Sequence, residues 1–313
     1  MTKSFMRAVR QHRASLLVLA GMAGLWQILS MIFRAEALPG EPMVPGWQVL
    51  VTKTFLSLSD YWQGGLGVES VATGGKPSYL ASLLAVVSNS LDTVIRLYAG
   101  LFVGAIIGML FGLAVSWSSW TRRIVELPAQ FLRTLPLLAM VPLFQLWFGT
   151  YFVGRVAFVA YGVGVIFFAG VINAVKNVPQ IYIDSARTLG ATRFQLYRTV
   201  ILPSIFPELR STILLSLGAA WAAELGAEYL GAQSGLGYII VYSAQFAYLD
   251  RMFFVALLFI LYASISYAIF NSVSLRLLKW APQTERGEKF AVSVTTGTSG
   301  ARDEETHLSD RGL

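Results

Sequence analysis

The sequence contains no cysteine, so it offers no disulfide framework and no thiolate metal site. Histidine is almost as scarce. His12 and His307 both lie near the termini, which leaves no basis for a His-dependent catalytic centre or metal site. Charge is sparse as well. Only 13% of the residues are charged, against about 25% in soluble domains. A phosphate-cradling GxxxxGK[ST] loop is also missing. The nearest approach, "TGGKPS" at 73–78, lacks the first spaced glycine and has Pro77 where Ser or Thr belongs. Nucleotide hydrolysis by this chain alone is therefore not expected, and neither a catalytic residue nor a cofactor-binding residue can be named.

What is present is apolar. Of 313 residues, 55% are hydrophobic, and the mean hydropathy is +0.61. These values point to an all-α, polytopic membrane protein. A bilayer-spanning helix needs about 20 apolar residues. Leu97–Trp117, Val156–Val175 and Met252–Leu275 meet that requirement without a charge, and Ala14–Phe33 meets it with Ser15, Gln27 and Ser30 inside. Ile124–Phe148 is interrupted by Glu126, Arg133, Pro136 and Pro142, and Ser211–Leu230 by Glu224 and Glu228. Together they predict about six transmembrane helices. The first follows Lys3, Arg7, Arg10 and Arg13, and "AEA" at 35–37 resembles a signal cleavage site. Its apolar run exceeds a signal core and further spans follow, so it reads as a retained first helix.

The net charge of +7 is the balance of basic loops, not a nucleic-acid footprint. Lys and Arg gather in the N-terminal tail, at Arg122 and Arg123, between Lys176 and Arg210, and after Arg276. With six spans these regions share one side, which the positive-inside rule makes cytoplasmic, together with both termini. The expected organisation is an N-terminal tail (1–13), a transmembrane domain (14–282) with an extracytoplasmic loop (34–90) and a cytoplasmic loop (176–207), and a disordered tail (283–313). Within the outer loop, Val49–Leu58 reads as an amphipathic interfacial helix and 64–76 as a flexible loop. Arg96, near the outer end of the second span, is expected to snorkel.

Gly100, Gly104, Gly108 and Gly112 recur every fourth residue and form one stripe. Small residues permit close backbone approach in lipid, either within the chain or against a second subunit. Pro136 and Pro142 remove backbone donors from the third span, and such a bend either lines a pathway or merely kinks a packing helix. Glu224 and Glu228 share a helix face. A charge at mid-membrane costs roughly 3 kcal/mol on insertion scales, so they are expected to be solvated, paired with Arg133 or Arg155, or part of a polar translocation path.

The basic stretch between Pro179 and Pro207 is the most informative. Asn177 and Pro179 suit a helix start. Ala186 and Gly190, four apart, give that helix a small patch, and Gly190 suits its end. Phe194, Tyr197 and Ile201 follow at helical spacing, and Pro203 and Pro207 are expected to mark the return to the membrane. The spacing Asp184-Ser185-Ala186, three residues, Gly190, nine residues, Val200-Ile201-Leu202-Pro203 resembles the EAA signature of the membrane subunits of ABC importers. Asp184, Ser185 and Val200 are conservative departures from Glu, Ala and Ile. Similarity extends from about Ser88 to Trp280. "LDTVIRLYAG", "RTLPLLAMVPLFQLWFG" and "AEYLGAQSGLGYII" look like the nitrate, sulfonate, taurine or bicarbonate branch.

That resemblance implies a type I ABC importer (MetI-like) fold and a transport subunit without its own catalysis, in a bacterial inner membrane. It implies pairing with a second permease subunit, identical or different. It further implies separate ABC ATPase subunits beneath the pair, an extracytoplasmic substrate-binding protein above it, surrounding membrane lipid, and no nucleic acid. Asp184, Ser185, Ala186, Gly190, Val200, Leu202 and Pro203 would form the ATPase-coupling segment, with the Leu202-Pro203 corner stiffening the transmitted motion. Glu224, Glu228, Pro136 and Pro142 are the pathway candidates. The competing expectation is an ion-coupled secondary transporter in which Glu224 or Glu228 carries protons.

Overall fold

The computed structural model describes residues 13–33, 36–38, 41–229 and 231–278. The expected N-terminal tail, apart from its last residue, and the expected C-terminal tail lie outside the described residues. The chain divides into one unit of residues 1–271 and a second of 272–313, whose described part continues the last helix. Helices dominate. They are α1 (Arg13–Ile32), α2 (Tyr79–Ser116), α3 (Ser119–Thr134), α4 (Val141–Phe148), α5 (Phe152–Lys176), α6 (Gln180–Thr188), α7 (Leu202–Tyr229), α8 (Leu236–Gln245) and α9 (Leu249–Leu277). Among the described residues, the one strand pair is Glu36–Leu38 with Glu41–Pro42.

By length and apolarity, α2, α5, α9 and the continuous stretch Arg193–Tyr229 can cross a membrane. A fifth span arises if the pair Trp120–Thr134 and Leu137–Phe148, bent by 89°, counts as one. The first apolar helix is shorter, at Leu17–Ile32. Four helices, or five with the bent pair, thus meet the requirement among the described residues, and α1, 20 residues long, lies where the first span is expected. The break in the bent pair follows from Pro136, which opens a 3₁₀ turn at Leu137–Met140, and from Pro142, which sits in the first turn of α4, where its missing N–H is harmless.

Helix α2 is 38 residues long, about 57 Å at 1.5 Å per residue, and overshoots the bilayer core. It starts cleanly because Ser78 caps it, accepting from the Ala81 N–H at 3.1 Å. Its glycine stripe faces α5. A methyl group at Gly100 would meet the Val159 side chain, one at Gly104 the Ala160 backbone, one at Gly108 the Phe167 side chain, and one at Gly112 the Val171 side chain. All four glycines are buried within this chain, so the stripe is an internal α2–α5 seam and not an intersubunit surface. Leu97, Leu101, Phe158, Val159, Val163, Leu217 and Trp221 complete the central core.

The segment between α1 and α2 is better ordered over its described residues than its composition suggests. Helical turns over 47–57 include a wide π turn at Leu50–Thr54. Leu50, Thr54 and Leu58 are buried, and Thr54 donates to Asp250 at 2.6 Å. The expected interfacial helix is thus packed on the start of α9, because its buried face carries hydrogen-bonding partners as well as apolar surface. The glycine-rich stretch 64–76 is a set of defined turns. Trp62 Nε1 donates to the Val68 carbonyl at 3.0 Å, and a 3₁₀ turn at Val71–Thr73 is capped by Ser70.

Candidate functional site

Two features bear on function, one at the C-terminal end of α2 and one near its middle. At one end stands the 176–207 loop. Helix α6 begins after Pro179 and ends with Gly190 at φ +79°, which favours glycine. The Gly190 N–H reaches the Arg187 carbonyl at 2.9 Å, and the Ala191 N–H reaches the Ala186 carbonyl at 3.0 Å. Thr192 then opens the next helix with a capping box closed by Gln195. Asp184, Ser185 and Gly190 are exposed and Ala186 is half-buried. Ile181, Tyr182 and Leu189 also face outward, the last 88% exposed. The loop is anchored at its base. Tyr197 packs its ring against Trp117, with centroids 4.6 Å apart, at the end of α2, while Leu196, Ile201 and Ile205 are buried against Val171, Ala174 and Val178.

The expected corner at Leu202-Pro203 is absent. The helix runs from Arg193 through Pro203 and Pro207 to Tyr229. A π turn at Tyr197–Ile201, in which the Leu202 N–H reaches back to the Tyr197 carbonyl, widens the ladder just before Pro203, where an α-helical donor would be lost. Val200 and Leu202 are half-buried on this continuous rod.

Near the middle of α2 is a buried polar knot that only the fold brings together. Arg96 on α2 is buried and does not snorkel. Its guanidinium lies 2.8 Å from Glu228 Oε1 and 3.8 Å from Glu224 Oε1 on α7, and 3.3 Å from Asp92. It also donates to the Ser234 hydroxyl at 2.8 Å and the Ser234 carbonyl at 3.2 Å. Thr93 donates to Glu228 Oε1 at 2.8 Å and accepts the Leu236 N–H at 2.9 Å. Glu228 Oε2 accepts the Gly237 N–H at 2.7 Å, and Asn89 accepts the Gly235 N–H at 2.8 Å.

The carboxylate of Glu228 therefore caps α8, where exposed N–H groups and the helix dipole favour negative charge. The "SGLG" stretch now has a physical reason. Gly235 has φ +111°, and a Cβ on Gly235 or Gly237 would run into the Glu228 side chain.

Glu224 differs from Glu228. Both are fully buried, yet neither Glu224 oxygen has a hydrogen-bond partner. The counter-charge expected from Arg133 or Arg155 comes instead from Arg96. Arg133 lines a separate cavity with Gly170, Ser211 and Thr212. Pro136 and Pro142 lie at the α3–α4 break, and the turn between them packs on α7: Leu137 and Val141 join Ala223 and Ala227 in the core. No group of His, Cys, Asp and Glu residues suited to a metal ion occurs among the described residues. Arg96, Asn89, Thr93 and Ser234 are the residues that sequence reasoning missed as a set. The one available signal was an arginine placed inside an apolar span.

Comparison with known proteins agrees with this arrangement. Residues 100–279 match the family described as "Binding-protein-dependent transport system inner membrane component". The chain belongs to that family. It is a membrane-embedded permease component and not an enzyme in its own right. Among its relatives is SsuC of Bacillus subtilis, whose name assigns it to aliphatic sulfonates transport. That permease is 31% identical over 228 residues, which cover 70% of this chain and 83% of the relative. The taurine transport system permease protein TauC of Escherichia coli is 30% identical over 155 residues, 50% of this chain and 56% of the relative.

Solved permease folds are similar too. The inward-facing MetNI methionine ABC transporter gives a TM-score of 0.55 at 21% identity, covering 63% of this chain and 97% of that one. A bacterial alginate ABC transporter, solved in complex with an alginate pentasaccharide-bound periplasmic protein, gives 0.52 at 15% identity, covering 87% and 99%. At these identities the likeness speaks for the fold alone, which is that of a type I importer permease.

Proposed function

We propose that this chain is the translocation subunit of an ATP-driven importer of small organic anions of the aliphatic sulfonate or taurine kind. It works as one of two permease subunits, identical or different, in a bacterial inner membrane. ABC ATPase subunits dock on the 176–207 side, and a substrate-binding protein delivers solute to the 34–90 side. Both termini, including the tails 1–13 and 283–313, are cytoplasmic.

The observation that carries this reading is the α6 knob. Asp184, Ser185, Ala186 and Gly190 stand on a short, outward-facing helix flanked by unpartnered Ile181, Tyr182 and Leu189. An exposed apolar patch rimmed by polar groups is the mark of a protein interface. Its base is fixed to α2 through Tyr197 and Trp117 and continues through Val200, Leu202 and Pro203 into the unbroken helix α7. Movement imposed on the knob is thereby transmitted along a rod to the turn that holds Glu224 and Glu228. ATPase closure pulls this lever, and energy enters the subunit there.

The pathway runs beside the α3–α4 break at Pro136 and Pro142 and past the α7 turn with Glu224 and Glu228. In support, a narrow cavity is lined by Val141, Phe144 and Gln145 from the one segment and Ala227 from the other. An ion-coupled carrier would need no cytosolic docking knob, and the family match favours the ATP-driven reading.

The test is reconstitution. Proteoliposomes holding the chain with its ATPase subunits and binding protein should accumulate solute only with ATP inside the ATPase compartment. The chain alone should not accumulate solute, with or without an ion gradient. Accumulation by the chain alone would overturn the proposal.

A further inference from the structure

Among the described residues, Arg155 is the one buried arginine that the polar knot leaves aside. It sits near the start of α5, 9% exposed, with no hydrogen bond from its guanidinium and no ion pair within 4 Å among the described residues. The charged groups of Arg96, Glu228, Glu224 and Asp92 lie beyond ion-pair distance from it. Burying a cation without a partner is costly, so the position calls for a reason.

The surroundings supply one. Arg155 lines a nook of about 10 Å³ with Gln145, Gly149 and Thr150, room for about one water. Gln145 and Thr150 are also the inner wall of a much larger open cavity of about 420 Å³. Tyr229, Tyr238, Tyr242 and Gln245 complete its polar lining. No charged side chain lines this cavity. The rings of Tyr238 and Tyr242 are held by each other and by Tyr61. Their hydroxyls, the Tyr229 and Thr150 hydroxyls and both glutamine amides have no hydrogen-bond partner among the described residues.

We propose that this cavity is a transit site for the sulfonate group of the transported solute, with Gln145, Thr150, Gln245 and the tyrosine hydroxyls as its donors and Arg155 as the cation behind its inner wall. The inference rests on the transport reading above and adds to it a site and a ligand chemistry. A sulfonate is permanently anionic and offers three acceptor oxygens, which suits several converging neutral donors. The tyrosine faces receive its alkyl stem. Arg155 reaches the anion through Gln145, Thr150 and a single bridging water. The absence of a direct ion pair keeps binding weak enough for the solute to move on, as conduction demands. Glu224 and Glu228 line neither cavity, so no carboxylate repels the ligand at close range.

The test is saturation-transfer NMR on the full-length chain in lipid nanodiscs, with sodium 1-propanesulfonate as the probe and sodium chloride at equal ionic strength as the control. Saturable binding is expected at about millimolar affinity. Arg155→Gln should weaken it about tenfold, as expected for loss of a charge-assisted contact. Arg155→Lys should restore most of it, and Thr150→Val, at an exposed position, should weaken it severalfold without affecting folding. No saturable binding by the wild type overturns the proposal. So does wild-type affinity in both Thr150→Val and a folded Arg155→Gln. Because this assay involves neither ATP nor a partner subunit, its failure leaves the transport reading intact. Failure of ATP-driven uptake would defeat that reading while leaving the binding result standing.

Discussion

Arg96 and Glu228 are 132 residues apart in the chain and 2.8 Å apart in the fold. Their contact joins α2 to α7 and, through Ser234 and the Gly237 N–H, to the start of α8. Removing one partner leaves the other charge buried without compensation, which typically costs 3–5 kcal/mol. Arg96→Met and Glu228→Gln should each lower thermal stability in detergent sharply. The double variant Arg96→Met with Glu228→Gln should lose less than the sum of the two single-variant losses. A double-mutant cycle by thermal unfolding checks this, and strict additivity would show that the pair does not act as one unit.

The α2–α5 seam makes the next prediction. A Cβ on Gly104 would lie 2.5 Å from the Ala160 carbonyl oxygen, a backbone atom that cannot swing aside. Gly104→Val should therefore force the helices apart and abolish accumulation of folded protein. Gly21→Val on α1, where nothing stands within 4 Å of the added Cβ, should be tolerated. Fluorescence-detected size exclusion of the two variants reads the difference directly.

How much of this was visible in the sequence varies with the range of the interaction. The long apolar runs, the break at Pro136 and the helix end at Gly190 are local, and residue type alone dictates them. The glycine period announced close packing but not its partner, because a stripe carries no information about which helix it meets. Arg96 looked like a snorkelling residue because its counter-charge sits on a distant helix. The glycines of 234–237 looked like a family signature, whereas they leave room for the Glu228 carboxylate. The Pro203 corner was misread for a different reason: a π turn one step earlier absorbs the missing donor, and nothing in residue composition signals that turn.

Tyr61 gives a prediction on pH. It lies in the segment between α1 and α2, is 7% exposed, and its hydroxyl is 3.0 Å from the Ser243 hydroxyl. Burial pushes its phenol above the usual tyrosine range, partly offset by the Ser243 hydrogen bond and by Arg251. The neutral form is thus favoured in the folded state. The resulting stability is fully present below the ordinary phenol pKa of about 10 and is lost as pH rises through the raised folded value. Wild type should lose stability more steeply than Tyr61→Phe on going from about pH 9 to pH 12, a range set by that ordinary phenol value. Parallel thermal melts of the two proteins, with tyrosinate absorbance as the titration signal, check the sign. Identical pH slopes would remove Tyr61 from the account.

The exposed α6 knob, proposed above as the coupling element, allows docking to be separated from folding. Gly190 has φ +79° with open space around its Cβ position. Asn tolerates this backbone region better than most residues, so Gly190→Asn should fold and insert like the wild type, with at most about 1 kcal/mol of backbone strain. Its side chain nevertheless stands where an ATPase surface would have to approach closely. Gly190→Asp adds a charge at the same point and should act more strongly. In both variants the assembled importer should retain basal ATP hydrolysis while solute-stimulated hydrolysis and uptake fall at least about tenfold, the equivalent of 1.4 kcal/mol of lost coupling. The measurement is the ratio of solute transported to ATP hydrolysed in proteoliposomes. An unchanged ratio in Gly190→Asp would mean that the knob is not where ATP-driven motion enters this subunit.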